Sequence, residues 1–282
     1  MSKILKVSNV GDYIRYVGEQ EQHPLVGIID YAALSPVRHS LNNYGVYGVF
    51  MHEHLSVDLT YGCGKYDYRN GGTVICVAPG QIGGKEDNGD RIDLDGWALL
   101  FHPDFLHGTS LEKEIRSFSF FDYNVNEALH TSSEEFEILA SFMRRIKQEL
   151  EGNRDGMQDA IIVDYISLLL NYCKRFYERQ FLTRKIANAD TLQRFHAVLE
   201  AYYTQENPFQ SGLPTVAYCA DQLCMSAGYL GDLVRRHTGD TAINYIHRFI
   251  LQKAKSLLSA GKTITEVAYD LGFAYPQHLS RL

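Results

Sequence analysis

The chain is short of cysteine. Its 282 residues hold five, Cys63, Cys76, Cys173, Cys219 and Cys224. The number is odd and none stands in a C-x-x-C pair, which excludes a disulfide-stapled scaffold and a zinc-ribbon pattern and leaves reduced, buried thiols as the expectation. There is no apolar run long enough to span a bilayer, and Met1-Ser2-Lys3-Ile4-Leu5-Lys6 lacks the apolar segment of a secretory signal. These absences predict a cytoplasmic protein with no membrane partner. No P-loop, dinucleotide fingerprint or nucleophile–base pair occurs, so no enzyme is expected and no cofactor is called for. Positive charge is scarce as well: 27 Lys and Arg face 34 Asp and Glu, a net charge of −7.

That deficit is local. From Gln205 onward seven Lys and Arg face six Asp and Glu, while the remainder carries twenty against twenty-eight. The acidic excess therefore lies in the N-terminal part, and the C-terminal part is close to neutral.

What that C-terminal part has is one pattern written twice. The first copy is Ala220-Asp221-Gln222-Leu223-Cys224-Met225-Ser226, continuing to Tyr229-Leu230 and Leu233; the second is Ala268-Tyr269-Asp270-Leu271-Gly272-Phe273, continuing to His278-Leu279 and Leu282. Each reads as a short helix, a tight turn and a second helix. Ala220 and Ala268 are small enough for two helices to cross closely. Ser226 is a good N-cap for a helix over 227–236, and Gly239 suits its end. Thr263 caps a helix whose apolar face is Ile264, Val267, Ala268 and Leu271. Gly272 permits a sharp turn, and Pro276 fits a first helical turn, where its missing N–H costs little. The second turn is one residue longer than the first. Between the copies Ile243, Ile246, Phe249, Ile250, Ala254, Leu257 and Leu258 form the stripe of a long helix ended by Gly261. A single copy would suit a plain helical bundle equally well. Two in register point to paired helix-turn-helix units, whose second helices enter the DNA major groove.

On these residues the segment from about Pro214 to Leu282 resembles the DNA-binding domain of AraC/XylS-type transcription regulators. The matching words are Val216-Ala217-Tyr218-Cys219-Ala220-Asp221-Gln222-Leu223, Ser226-Ala227-Gly228-Tyr229-Leu230, Thr238-Gly239 and Ile264-Thr265-Glu266-Val267-Ala268-Tyr269-Asp270-Leu271-Gly272-Phe273. The resemblance implies seven helices and two reading helices about 34 Å apart, one DNA turn. Carried over by position, Ala227, Gly228, Gly231 and Asp232 would face bases in the first unit, and Tyr275, Gln277, His278 and Arg281 in the second. Arg235 and Arg236 are assigned to phosphates, which position without specifying. The family pattern normally runs on with a basic stretch and a final helix. The sequence ends at Leu282, inside the second recognition helix, and this reading expects that end to fray and DNA affinity to be reduced.

The N-terminal part is rich in Gly, Tyr, Val and Phe. Val46–Met51, 55–61, Gly72–Ala78 and Trp97–Phe101 are β-prone runs separated by Gly-rich turns, a spacing that suits a sandwich or barrel. In the family this region is commonly a cupin-like β-barrel. His52 and His54 alternate as a strand-face pair, and His102 and His107 flank a Pro-Asp loop; all four are candidate effector ligands. No Glu follows at the short distance a metal-binding cupin needs, and no metal is assigned. From Thr131 the period becomes helical. Phe136, Leu139, Phe142, Met143, Ile146 and Leu150 form one stripe, Ile161, Ile162, Tyr165, Ile166, Leu168, Leu169 and Tyr172 another, and a spare face suggests a homodimer. A helical connector leads to Pro208.

The expectation is an α+β protein: a cupin-like β-barrel sensor over 1–130, a helical dimerisation and connector region over 131–207, and an all-α tandem helix-turn-helix domain over 208–282. Its expected partners are double-stranded DNA, a second copy, a small-molecule effector and RNA polymerase. Two rivals stand beside it. One is a cupin-type ligand- or metal-binding protein. The other is a shortened regulator that acts by heterodimerisation with intact copies.

Overall fold

A computed structural model describes residues 4–53, 71–85, 87–124, 127–152, 154–183, 185–205 and 208–282. The chain divides into two compact units, Met1–Gln180 and Phe181–Leu282. It is an α+β protein, with strands in the first unit and helices alone in the second.

The first unit begins with β1 (Leu5–Val7), α1 (Val10–Val17), β2 (Val26–Asp30), α2 (Tyr31–Leu34), β3 (Val37–Arg38), β4 (Leu41–Tyr44), β5 (Tyr47–His52), β6 (Thr73–Val77), β7 (Ile82–Gly84), β8 (Arg91–Ile92) and β9 (Trp97–Phe101). It continues with α3 (Ser110–Glu114), β10 (Leu129–His130), α4 (Ser133–Glu151) and α5 (Gln158–Thr183). The described strands form three sheets, in the orders β10-β6-β5-β9-β2, β1-β4-β7 and β3-β8, and these do not close into a barrel. The two smaller sheets are built from strands of two to four residues, too short to carry a continuous ladder round a closed surface.

The five-stranded sheet is organised by β5, antiparallel to both β6 and β9, with Val49 opposite Cys76 on one side and Leu99 on the other. Its interior residues are buried throughout, as are those of β9, so these strands read as continuous apolar runs rather than alternating ones. On one face Val10, Ile14, Tyr31, Val46, Phe50 and Leu100 form a core with α1. Helix α1 went unread in the sequence, although Asn9 and Asp12 form a capping box at its start and Gly18 ends it at φ 97°. The expected strands over Val46–Met51, Gly72–Ala78 and Trp97–Phe101 correspond to β5, β6 and β9. The run over 55–61 lies outside the described residues.

Helices α4 and α5 follow their stripes. Phe136, Leu139, Met143, Ile146 and Leu150 are buried on α4, and Ile162, Ile166 and Leu169 on α5. Leu168, read as part of the second stripe, is 46% exposed. The anchor of this region is Glu135. Its carboxylate accepts the Ser132 N–H in a capping box and two guanidinium N–H groups of Arg179, at 3.1 and 2.6 Å. Arg179 also donates to the His130 carbonyl at 2.7 Å. One carboxylate thus joins β10, α4 and α5.

The second unit comprises α6 (Lys185–Gln205), α7 (Pro208–Ser211), α8 (Val216–Gln222), α9 (Ala227–Thr238), α10 (Ala242–Ser259), α11 (Ile264–Asp270) and α12 (Pro276–Leu279). They share one core. Phe195 and Leu199 of α6 pack with Ala220, Leu230, Ile246, Ile250, Val267 and Ala268. The helix expected as a connector thus supplies part of the floor of the helical unit. Three residues read as core are not: Ile243 is 42%, Leu258 39% and Ile264 54% exposed. Each lies at the first or last turn of its helix, where the apolar stripe runs past the partner it would pack on.

Replacing Glu135 by Ala removes a cap and strips Arg179 of its half-buried counter-charge. Urea unfolding followed by circular dichroism should show a loss of roughly 2–4 kcal/mol, and a loss below about 0.5 kcal/mol would show that Glu135 is not the anchor.

Candidate nucleic-acid interface

Each repeat builds the same turn from the same parts. In the first, the Thr215 side chain caps α8 by accepting the Tyr218 N–H. The helix ends at Leu223, Cys224 takes φ 58°, and the Met225 N–H returns to the Ala220 carbonyl at 3.0 Å. The Ser226 hydroxyl then accepts the Tyr229 N–H at 3.1 Å and starts α9. In the second, Thr263 and Glu266 form a capping box on α11. Leu271 ends that helix, Gly272 takes φ 90°, and the Phe273 N–H returns to the Ala268 carbonyl at 2.9 Å. Pro276 opens α12 one residue later in the turn than Ala227 opens α9.

The left-handed position in each turn is therefore met by different chemistry: a glycine at 272 and a cysteine at 224. For an L-residue that conformation costs roughly 1–2 kcal/mol. At Gly272 a side chain would also run into the backbone carbonyl of Gly212. Gly212 is itself held by the Tyr202 hydroxyl, which donates to its carbonyl at 2.9 Å. Beneath the turns Leu223, Leu230, Leu271 and Phe273 are buried, and burial pushes the Cys219 thiol up to about 11, keeping it a protonated packing group.

The buried faces leave the other faces open. On α9, Ala227, Arg235 and Arg236 are exposed, and Gly228, Gly231 and Asp232 are half-buried. The Arg236 guanidinium lies over the Phe181 ring at 5.2 Å. At the second unit Tyr275, Gln277, His278 and Arg281 are all exposed, with Tyr275 and His278 in edge contact at 5.5 Å. Several cations of this unit are already spent. Arg248 pairs with Asp240 at 3.1 Å, Lys253 with Glu200 at 2.9 Å and Lys262 with Asp270 at 2.6 Å. Among the described residues Arg235, Lys255 and Arg281 make no ion pair.

The expected effector residues separate. His52, at the end of β5, lines a cavity of about 510 Å³ in the first unit, whereas His102 and His107 do not. His102 caps a 3-10 turn through Nδ1, and His107 is 85% exposed beside Glu112. His54 lies outside the described residues, and among the described residues no group of three or more His, Cys, Asp or Glu able to hold a metal is found. The cavity also takes Tyr13, Tyr31, His39, Asn42 and Tyr44, none of which stood out in the sequence. They come from α1, α2, β4 and the link before β4, and no motif joins them. The Tyr13 and Tyr31 hydroxyls meet at 2.9 Å. Asn42 Nδ2 donates to the Tyr44 hydroxyl at 3.0 Å. Burial raises all three tyrosines above the ordinary phenol range, so they remain O–H groups. His52 stacks on Tyr31, and its burial lowers its pKa.

Two short-helix, tight-turn, second-helix units on one core define a DNA-reading domain of the tandem helix-turn-helix class. Residues 219–282 match a family model described as a helix-turn-helix domain. The chain is 30% identical over 142 residues to the HTH-type transcriptional activator RhaS of Salmonella heidelberg (strain SL476), covering 50% of this chain and 48% of that relative. RhaS of Salmonella typhimurium (strain LT2) gives the same figures. The chain spans about half the length of these curated relatives. No solved structure matches it. Residues 219–282 of the C-terminal unit are thus similar to known helix-turn-helix domains.

Substituting Gly272 by Ala should lower the stability of the helical unit by more than the roughly 1–2 kcal/mol of the left-handed backbone alone. Cys224→Gly should raise it by about 1 kcal/mol or leave it level. Thermal denaturation of the two variants beside the parent checks both, and a destabilised Cys224→Gly would refute the equivalence of the turns.

Proposed function

We propose that the chain is a sequence-specific transcription regulator of the AraC/XylS type that reads DNA with α9 and α12 and takes a small-molecule effector in its N-terminal unit. The observation that carries the first half is the duplicated turn, which leaves Ala227, Arg235, Gln277 and Arg281 on open faces while burying the opposite side of each helix. In this reading Gly228 and Gly231 let the backbone approach the groove. Asp232 accepts from a cytosine amino group, Gln277 reads an adenine and Arg281 a guanine or a phosphate. Arg235 serves the phosphates. The relatives are activators, and activation is the output carried to this chain.

The cavity lined by His52 supports the effector half, and a cupin-like sensor is the reading proposed for the first unit. The half-buried pair Phe142 and Tyr172, 5.5 Å apart between α4 and α5, together with the exposed Ile138 and Leu168, favours a homodimer through that helical pair. A cytoplasmic setting agrees with the finding that no helix among the described residues is long and apolar enough to cross a membrane. RNA polymerase is the expected protein partner of such an activator.

Binding-site selection with the intact chain, followed by gel-shift titration, tests the reading. Enrichment of one sequence is expected; equal retention of all sequences would refute it. Gln277→Ala should relax preference at one base position by about 1–3 kcal/mol and leave others unchanged. Arg235→Ala should weaken binding to every sequence alike and lower the salt slope by about 1. Uniform loss for Gln277→Ala would remove it from the reading set.

A further inference from the structure

The cavity of the first unit has a chemical bias. Much of its polar lining is already satisfied internally. Ser40 Oγ donates to Asn42 Oδ1 at 2.6 Å, and Asn42 Nδ2 donates to the Ser40 carbonyl at 3.1 Å and to the Tyr44 hydroxyl at 3.0 Å. Gln81 spends its amide on the Ala78 N–H and the Phe121 carbonyl. Hydroxyl capacity to donate is left over. Tyr44 accepts from Asn42, so its own O–H is free to donate. The Tyr13–Tyr31 pair shares one hydrogen and leaves the other.

Two ring nitrogens in the lining are buried without a hydrogen-bond partner among the described residues: His39 Nε2 and His52 Nδ1. His39 is only 7% exposed, and its Nδ1 lies 3.4 Å from the Lys85 carbonyl. A buried polar atom left unpaired is destabilising, a cost a ligand would remove. Arg38 and Lys85 flank His39 at the rim, both exposed and neither in an ion pair with a described residue. The described lining contains no Asp or Glu, in a chain whose net charge is −7. Among the described residues Asp87, outside the lining, accepts from the Tyr16 hydroxyl at 3.1 Å and the Gly89 N–H at 2.8 Å and interacts electrostatically with His39 and Arg38, and Glu127, also outside it, accepts the Asn124 N–H at 2.7 Å. Phe50, Ile75, Val77 and Leu94 supply apolar lining.

The geometry points to a small organic carboxylate as the ligand of this cavity, with its anionic head at Arg38, His39 and Lys85 and an apolar body against Phe50 and Ile75. This rests on the effector reading of the same cavity. A neutral polyol fits less well, because it brings no negative charge to Arg38 and Lys85. A metal-bound ligand is not needed to account for the orphaned His39 nitrogen, since a carboxylate oxygen accepts from Nε2–H once the ring carries both hydrogens as the imidazolium, with Nδ1–H facing the Lys85 carbonyl.

Isothermal titration calorimetry on the intact chain tests this with benzoate, benzamide, benzyl alcohol, glucose and inorganic phosphate. Benzoate should bind at least tenfold more tightly than benzamide, and phosphate alone should not bind. Arg38→Gln and His39→Gln should each weaken benzoate at least fivefold and leave benzamide unchanged, with unaltered circular dichroism. Benzamide, benzyl alcohol or glucose binding as well as benzoate would overturn the carboxylate assignment and leave the effector reading standing, as would phosphate binding as well as benzoate. Failure of every probe would overturn both. Benzoate binding indifferent to both variants would place it elsewhere and overturn the assignment.

Discussion

The helical unit depends on one backbone closure made twice: an N–H just past a left-handed residue returns to the carbonyl of a buried alanine five residues earlier. Met225 does this to Ala220 and Phe273 to Ala268. The closure fixes the angle between the two helices of each unit, and only a methyl-sized side chain at the crossing allows it. Everything outward-facing on α9 and α12 inherits its direction from that bond and from the apolar residues pinned below it. The shared floor of Phe195, Leu199, Ile246 and Ile250 then makes the two closures parts of one body.

The turns were legible in the sequence because their determinants are local. Ser226, Gly239, Thr263, Gly272 and Pro276 each act within four residues of themselves, and each caps, turns or opens the element expected of it. The stripes of α4, α5 and α10 were legible for the same reason. Ile243 and Leu258 on α10 and Ile264 on α11 depart from the reading at helix ends, where periodicity continues but the neighbour does not, and Leu168 departs from it in the middle of α5. Sheet pairing was not legible. Nothing in the order of the runs shows that β5 lies between β6 and β9, or that β1 runs parallel to β4.

The cavity is the clearest case of what sequence reading misses. His52 was singled out for its alternation with His54, and it does line the space. His102 and His107 were singled out for flanking a Pro-Asp loop and do not. The residues that shape the site, Tyr13, Tyr31, His39 and Tyr44, lie in segments with no motif, and their chemistry arises from three-dimensional pairing. A tyrosine whose hydroxyl is committed to Asn42 differs from one facing water, and only the fold distinguishes them.

The ion pairs on the helical unit bear on how such a protein would behave in a crowded chromosome. With Arg248, Lys253 and Lys262 paired with neighbouring carboxylates, fewer cations of this unit are open to an arbitrary phosphate chain than its sequence holds. Encounters with random sequence would be brief, and the molecule would let go and move on quickly. Time spent at a genuine address would then be set by shape and base contacts rather than by charge. Occupancy would follow the spelling of the site more closely than the abundance of the regulator.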